Sequence, residues 1–92
     1  MIHSFNDSDT EELFIKEKNR RFSAINRVAL RKLIQLNQAG VLQDMAVPPG
    51  NRLEALKGDR TGQHSIRVND QFRVCFRWTT AGAEDVEIVD YH

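Results

Sequence analysis

Apolar and polar side chains alternate along residues 71–79, which read QFRVCFRWT. A period of two predicts a β-strand with one apolar face and one cationic face. Burying each large apolar side chain fully would contribute roughly 1.5–3 kcal/mol, so we expect this strand to anchor the core. The apolar face carries Phe72, Val74, Phe76 and Trp78, and the opposite face carries Arg73, Cys75 and Arg77.

Other short apolar runs predict further strands at Ile2–Phe5, Arg52–Leu56, His64–Asn69 and Glu84–Tyr91. Side chains that share the core must share a face of the sheet. A three-residue loop at residues 69–71 meets this condition, because it pairs Ile66 with Val74 and sets Arg67 opposite Arg73.

The last predicted strand follows a turn at residues 80–83 that contains Gly82. Its inward residues are expected to lie opposite the apolar positions of residues 71–79, with Val86 facing Trp78 and Ile88 facing Phe76. The same register sets Tyr91 opposite Arg73, on the cationic face.

Two helices are predicted between the first and second strands. Thr10–Lys18 follows the cap-forming residues 6–9 and carries two glutamates in its first turn. The second helix has Ser23 as its predicted N-cap and ends before Gly40. Its apolar stripe recurs at helical spacing through Ile25, Val28, Ala29, Leu33 and Leu36. The expected fold class is therefore a two-layer α+β domain, with both helices on one face of an antiparallel sheet.

Length and composition fit one domain, residues 1–92. No apolar run approaches the roughly 20 residues that span a bilayer, and the first residues do not resemble a secretory signal. Cys75 is the single cysteine, which favours a reducing compartment. We therefore expect a cytoplasmic protein without a membrane partner.

Charge is unevenly distributed, although the net charge is zero. Residues 16–32 carry seven bases and one acid, and residues 52–77 carry six bases and three acids. A basic stripe on a helix is most often a solvated surface, and less often a phosphate-binding surface.

The cationic sheet face, expected to be solvated, suits RNA. Guanidinium groups bind phosphate oxygens, and a tyrosine ring can stack on an unpaired base. Attack by a 2′-hydroxyl on the next phosphate needs proton transfer and cations but no metal or cofactor. His92, Tyr91 and Asp90 could share proton transfer, while Lys57 and Arg73 could hold the phosphate. The remaining predicted RNA-binding residues are Arg60, Arg67 and Arg77.

Each of these residues also has an ordinary interpretation. A histidine such as His92 is more often idle than catalytic, Tyr91 more often packs, and Asp90 could simply cap the sheet end. Cys75 is interpreted as a small filler on the cationic face, and His64 as a packed residue. No cysteine–histidine cluster is present, so zinc is not expected.

Much of the second half resembles a known family. The similar segments are Pro48–Glu54, Gly62–Phe76 and Val86–His92, and the final Asp90-Tyr91-His92 is the most specific of them. They resemble HigB toxins of the RelE/ParE superfamily, and the order and total length also match. This resemblance implies a RelE-like fold across the whole chain.

The resemblance also implies an activity and partners. HigB proteins are toxins of type II toxin–antitoxin systems and cut mRNA in the decoding site of the small ribosomal subunit. A helix-turn-helix antitoxin of the HigA type neutralises them, and the complex binds its operator DNA through the antitoxin.

Family active-site positions correspond to Lys57, Arg73, Asp90, Tyr91 and His92. Glu54 occupies a position where some HigB toxins have a catalytic histidine; a carboxylate there could act as a base. Two alternatives remain: a ParE-like toxin that poisons gyrase without catalysis, and a degenerate toxin that acts only as a corepressor.

Overall fold

Two helices cover one face of a four-stranded antiparallel sheet in this computed structural model, which describes residues 1–91. The helices are α1 (Ser8–Lys16) and α2 (Asn26–Gln38). The strands are β1 (Glu54–Ala55), β2 (His64–Arg67), β3 (Phe72–Thr79) and β4 (Gly82–Asp90), and they neighbour one another in that order. The predicted two-layer α+β architecture is confirmed.

Helix α1 begins and ends two residues earlier than the predicted Thr10–Lys18, although its N-cap lies among the predicted cap-forming residues 6–9. The Asp7 carboxylate accepts a hydrogen bond of 3.0 Å from the backbone N–H of Thr10. The helix ends at Glu17, whose φ of 66° is left-handed. Leu13 points inward and is fully buried. This short helix therefore packs on the core through one apolar face.

Helix α2 begins two residues later than the Ser23 cap predicts. Its N-cap is Ile25, which offers no side-chain hydrogen bond. Residues 21–25 form a turn instead, in which the Ile25 N–H donates to the Phe22 carbonyl at 2.9 Å. The Ser23 prediction is wrong because Phe22 is drawn into the core, leaving Ser23 exposed before the helix starts.

The core lies between the helices and the inner sheet face. Its apolar stripe from α2 is the predicted one, and Val74 and Phe76 of β3 are fully buried. Trp78 is only partly buried, at the margin of the cluster. The largest fully buried apolar side chains are Leu13, Phe22, Leu33, Leu36, Met45, Ile66, Val74, Phe76 and Val86.

The register between β2 and β3 agrees with the prediction. Ile66 pairs with Val74, and Arg67 pairs with Arg73. The Asn69 side chain accepts hydrogen bonds from the backbone N–H groups of Gln71 and Phe72, at 2.8 and 2.7 Å. A short polar loop thus fixes the pairing.

The predicted register between β3 and β4 is wrong by two or three residues. Ile88 pairs with Val74 rather than Phe76, and Arg73 pairs with Val89 rather than Tyr91. The turn comprises only residues 80 and 81, because Thr79 pairs with Gly82, and the register changes again between Cys75 and Arg77. From Phe72 to Cys75 the shift is two residues, which preserves the face of each side chain, so Ile88 stays inward and Tyr91 stays on the side of Arg73. From Arg77 to Thr79 the shift is three residues, and Trp78 pairs with Ala83, which joins the core, instead of Val86.

The N-terminal segment runs beside β4 but does not form the regular strand predicted at Ile2–Phe5. Ile2 and Phe5 make isolated parallel bridges to Ala83 and Val86. Gly82 permits this approach, since a Cβ built there would lie 2.3 Å from the Met1 carbonyl oxygen. Within residues 1–91, no helix has the length and apolar character needed to cross a membrane.

Candidate active site

Arg73 lies near the beginning of β3, on the sheet face opposite the helices, and is held in place by neighbouring groups. Its Nε donates to the Ser65 Oγ at 2.7 Å, and its Nη2 donates to the Arg52 carbonyl at 2.8 Å. Glu54 completes the set, with its Oε1 3.6 Å from Nη2. The expectation of a solvated Arg73 is wrong, because residues 52–54 cross this end of the sheet and leave its side chain 13% exposed.

Tyr91 lies beside this guanidinium on the same face. The Arg73 Cζ is 5.8 Å from the centre of the Tyr91 ring, within range of a cation–π interaction. The Tyr91 N–H donates to the Gln71 carbonyl at 2.7 Å, which fixes the backbone beyond the end of β4. The residue is 46% exposed, so its ring can contact a ligand.

A cleft of about 190 Å³ opens beside these two residues. It is lined by three arginines, one tyrosine, one asparagine and one aspartate, namely Arg52, Arg67, Arg73, Tyr91, Asn69 and Asp70. The Arg67 guanidinium forms an ion pair with Asp70 at the mouth of the cleft. The surplus of positive charge makes the cleft suitable for an anionic chain.

Arg52 belongs to this cleft although sequence reasoning assigned it only to a strand. It instead follows a 3₁₀ turn at Pro49–Asn51, and β1 begins two residues later. The proline–proline–glycine–asparagine run that precedes it is the signal that could have identified a turn here.

Glu54 and Lys57 lie on the segment that begins at β1, and neither is among the residues that line the cleft. The Glu54 side chain is 52% exposed and faces Arg73. Lys57 is exposed at the start of the 3₁₀ turn Gly58–Arg60. The Glu54 carboxylate therefore borders the site through Arg73, and Lys57 lies three residues further along the same segment.

Asp90 ends β4 on the opposite side of the strand from Tyr91. It pairs with Phe72, and its carboxylate accepts a hydrogen bond of 3.0 Å from the Gln71 amide. This position agrees with the expectation that it lies at the sheet end. His92, predicted to be catalytic, lies outside the described residues.

Arg60 and Arg77 lie outside the cleft and make ion pairs of their own. The Arg60 Nη1 is 2.8 Å from Glu87 Oε1 and 3.1 Å from Gln63 Oε1. The hydrogen bond to Glu87 raises the pKa of Arg60. The Arg77 Nε is 3.4 Å from Asp85 Oδ2. Their predicted contacts with RNA remain predictions.

Two further side chains pack where the sequence indicated. Cys75 is fully buried, and this burial raises the pKa of its thiol, an effect that Arg60 partly offsets. The His64 ring stacks on Phe76 with centroids 6.4 Å apart. Among residues 1–91, no group of three or more histidine, cysteine, aspartate or glutamate side chains could hold a metal ion.

Similarity to known proteins identifies the family. A family model described as the RelE-like toxin of the type II toxin–antitoxin system HigB matches residues 3–92. Toxin HigB-1 of Vibrio cholerae serotype O1 is 40% identical over 80 residues, covering 85% of this chain and 84% of that protein.

Two solved structures show the same fold at low sequence identity. A chain of the YoeB–YefM complex from Staphylococcus aureus aligns with a TM-score of 0.62 and 17% identity, covering 100% of this chain and 98% of that one. The YoeB/ParE toxin from Agrobacterium tumefaciens aligns with a TM-score of 0.51 and 19% identity, covering 99% and 98%. The protein therefore belongs to the HigB-like family, the RelE-like toxins of type II toxin–antitoxin systems.

Proposed function

We propose that this toxin is a ribosome-dependent endoribonuclease that cleaves mRNA in the decoding site of the small subunit and so inhibits translation in the cytoplasm. The observation that carries the proposal is the fixed Arg73 guanidinium beside the half-exposed Tyr91 ring, in a cleft rich in arginine. A cation that is already oriented stabilises developing negative charge without reorganising during the reaction.

The chemistry follows from where negative charge and protons must move. A 2′-hydroxyl of the mRNA attacks the adjacent phosphorus, its proton leaves to a base, and the 5′-oxygen of the next nucleotide departs with a proton. Arg73 and Lys57 would bind the phosphate oxygens as negative charge accumulates there. These steps form a 2′,3′-cyclic phosphate and a free 5′-hydroxyl.

Four side chains are proposed for the proton transfers. Tyr91, which lines the cleft, would share them with Asp90 and His92, the positions that match the family pattern, although the Asp90 side chain lies on the other side of the strand from the Tyr91 ring. Glu54 could accept the proton of the 2′-hydroxyl, since its carboxylate lies 3.6 Å from the phosphate-binding Arg73. The Tyr91 ring would also stack on a base and so hold the nucleotide in line for attack.

The proposed partner is an antitoxin of the HigA type with a helix-turn-helix domain. The family is defined by a toxin–antitoxin system, and a partner that neutralises a toxin must bind it tightly. Through this antitoxin the toxin would reach operator DNA as a corepressor.

Primer extension on actively translated mRNA tests the activity. Purified toxin added to a reconstituted translation system should give cuts in phase with codons, which disappear when translation initiation is blocked. Tyr91→Ala should remove the cuts, whereas Arg27→Ala on the exposed side of α2 should leave them unchanged. Intact mRNA together with gyrase-dependent DNA breaks would reject the nuclease activity and support a ParE-like toxin that poisons gyrase.

A further inference from the structure

We propose that Arg52 is a further phosphate-binding cation of the cleft and takes a phosphodiester of single-stranded RNA next to the one that is cleaved. The inference rests on the proposed function, because it assigns a further substrate contact to the same site. It was not apparent from the sequence, in which Arg52 appears as the first residue of a short strand.

The other two arginines of the cleft are already engaged. Arg73 is bonded to the Ser65 hydroxyl and to the Arg52 carbonyl, and it faces Glu54. Arg67 is paired with Asp70. Arg52 is exposed, and within residues 1–91 its guanidinium makes no ion pair. It is therefore the cleft arginine with the most capacity for an incoming phosphate.

The backbone that carries Arg52 is anchored by a buried asparagine. Asn51 is fully buried, and its amide donates to the Met45 carbonyl at 3.0 Å and to the Val47 carbonyl at 3.3 Å. Its carbonyl oxygen accepts from the Lys32 ammonium group. A buried side chain with all these hydrogen bonds holds the turn rigidly. The backbone of Arg52, the next residue, is therefore fixed in position.

Arg52 itself has left-handed backbone angles, with φ 48° and ψ 54°. Its N–H donates to the Pro49 carbonyl at 3.0 Å, and its own carbonyl accepts from Arg73. Glycine adopts this conformation more readily than any residue with a side chain. Arg52 therefore places a long cationic side chain on a strained backbone at the edge of the cleft. Such strain is typical of functional sites, so we infer that the side chain binds a ligand.

The left-handed backbone at Arg52 allows the cation to be removed without changing the backbone conformation. Arg52→Gly removes the cation while keeping the backbone conformation and the carbonyl that Arg73 binds. Arg52→Lys keeps a positive charge. Arg27→Ala removes an exposed arginine elsewhere on the molecule and serves as the matched control.

Binding is measured by fluorescence anisotropy with a labelled single-stranded RNA whose sugars are all 2′-O-methylated, so that it cannot be cleaved. We expect Arg52→Gly to weaken binding about tenfold, as the loss of one charge-assisted contact predicts. The slope of log affinity against log salt should fall by about 0.7, the value for one phosphate contact on a single strand. Arg52→Lys should keep most of the affinity and the slope, and Arg27→Ala should match the wild type.

Equal affinity and equal salt slope for wild type and Arg52→Gly would overturn the inference, as would wild-type toxin that does not bind the RNA at low salt. A thermal midpoint that does not fall in Arg52→Gly excludes misfolding as the cause of weaker binding. Cleavage of mRNA on ribosomes is followed in parallel. Loss of binding without any wild-type cleavage would support Arg52 and reject the nuclease, whereas unchanged binding with intact cleavage would reject Arg52 alone.

Discussion

The Arg73 guanidinium lies between the buried Ser65 hydroxyl, 2.7 Å from its Nε, and the Tyr91 ring, 5.8 Å from its Cζ. One neighbour fixes the cation to the sheet, and the other leaves it beside a surface that a nucleotide can reach. The pair joins the fold to the proposed chemistry, because the guanidinium that is bonded to the sheet is also the proposed phosphate-binding group.

Replacement of Tyr91 distinguishes stacking from proton transfer. Tyr91→Phe keeps the ring that lies beside Arg73 but removes the hydroxyl. We expect it to bind 2′-O-methylated RNA like the wild type and to cleave about a hundredfold more slowly, the lower range for losing a general acid or base. Single-turnover cleavage on programmed ribosomes measures this. Wild-type cleavage by the phenylalanine variant would limit Tyr91 to stacking.

Arg73→Ala should lower both activity and stability. It leaves the fully buried Ser65 hydroxyl without its hydrogen-bond partner and frees the Arg52 carbonyl, which together should cost about 1–3 kcal/mol in the free energy of unfolding. Urea unfolding followed by the fluorescence of Trp78, on the same strand, provides the measurement.

The control for this experiment is Arg27→Ala, which should unfold at the wild-type urea concentration because Arg27 is exposed on α2. A double variant with Ser65→Ala tests the explanation directly. If the Arg73–Ser65 hydrogen bond accounts for the loss, removing both groups should cost less than the two single losses added together. Additive losses would place the stabilising contact of Arg73 elsewhere.

Alternation alone was enough to predict the two faces of the sheet. It put Tyr91 on the same face as Arg73 even though the predicted pairing of these residues was wrong, because the actual register differs by an even number of residues. That difference comes from a two-residue turn and from an irregularity near Asp85, whose φ is 53°. Neither feature has a strong local signal in the sequence.

Burial on the cationic face could not be predicted from the same pattern. Ser65 and Cys75 alternate with core residues, which puts them on the cationic face that was expected to be solvated, yet both are fully buried. The cover comes from residues distant in the chain: Glu54 pairs with Ser65 across β1 and β2, and Arg60 reaches Glu87 across the sheet. The alternation of side chains describes one strand at a time. It therefore cannot show which distant segment of the chain covers that strand.

The ion pair between Arg60 and Glu87 should hold the segment that carries Lys57 against the sheet. The two side chains are only 30% and 18% exposed and lie 2.8 Å apart. A double-mutant cycle with Arg60→Gln and Glu87→Gln should give a coupling free energy of about 1 kcal/mol, above the typical value for exposed pairs.

Cleavage by the same variants separates anchoring from direct contact with RNA. If Arg60 acts by positioning the segment, both variants should lose activity to the same extent, since each breaks the same ion pair. The salt dependence of RNA binding should also stay as in the wild type. Greater loss in Arg60→Gln than in Glu87→Gln, with a reduced salt slope, would instead assign Arg60 a phosphate contact.

Cys75 predicts a dependence of stability on alkaline pH. Burial raises the pKa of its thiol above the ordinary value of 9.0, so the folded protein holds this proton at pH values where the unfolded chain has released it. Its contribution to stability is complete below pH 9 and is lost as the pH rises through the folded-state value. Between about pH 8 and about pH 10, the free energy of unfolding measured with urea should therefore decrease more for the wild type than for Cys75→Ala.

Accessibility of the thiol provides a second measurement. In the native protein at the lower pH, Ellman's reagent should react with the Cys75 thiol far more slowly than in urea, because the side chain is fully buried. Equal pH dependence in the two proteins, or rapid labelling of the folded wild type, would show that the face around Cys75 opens readily to solvent.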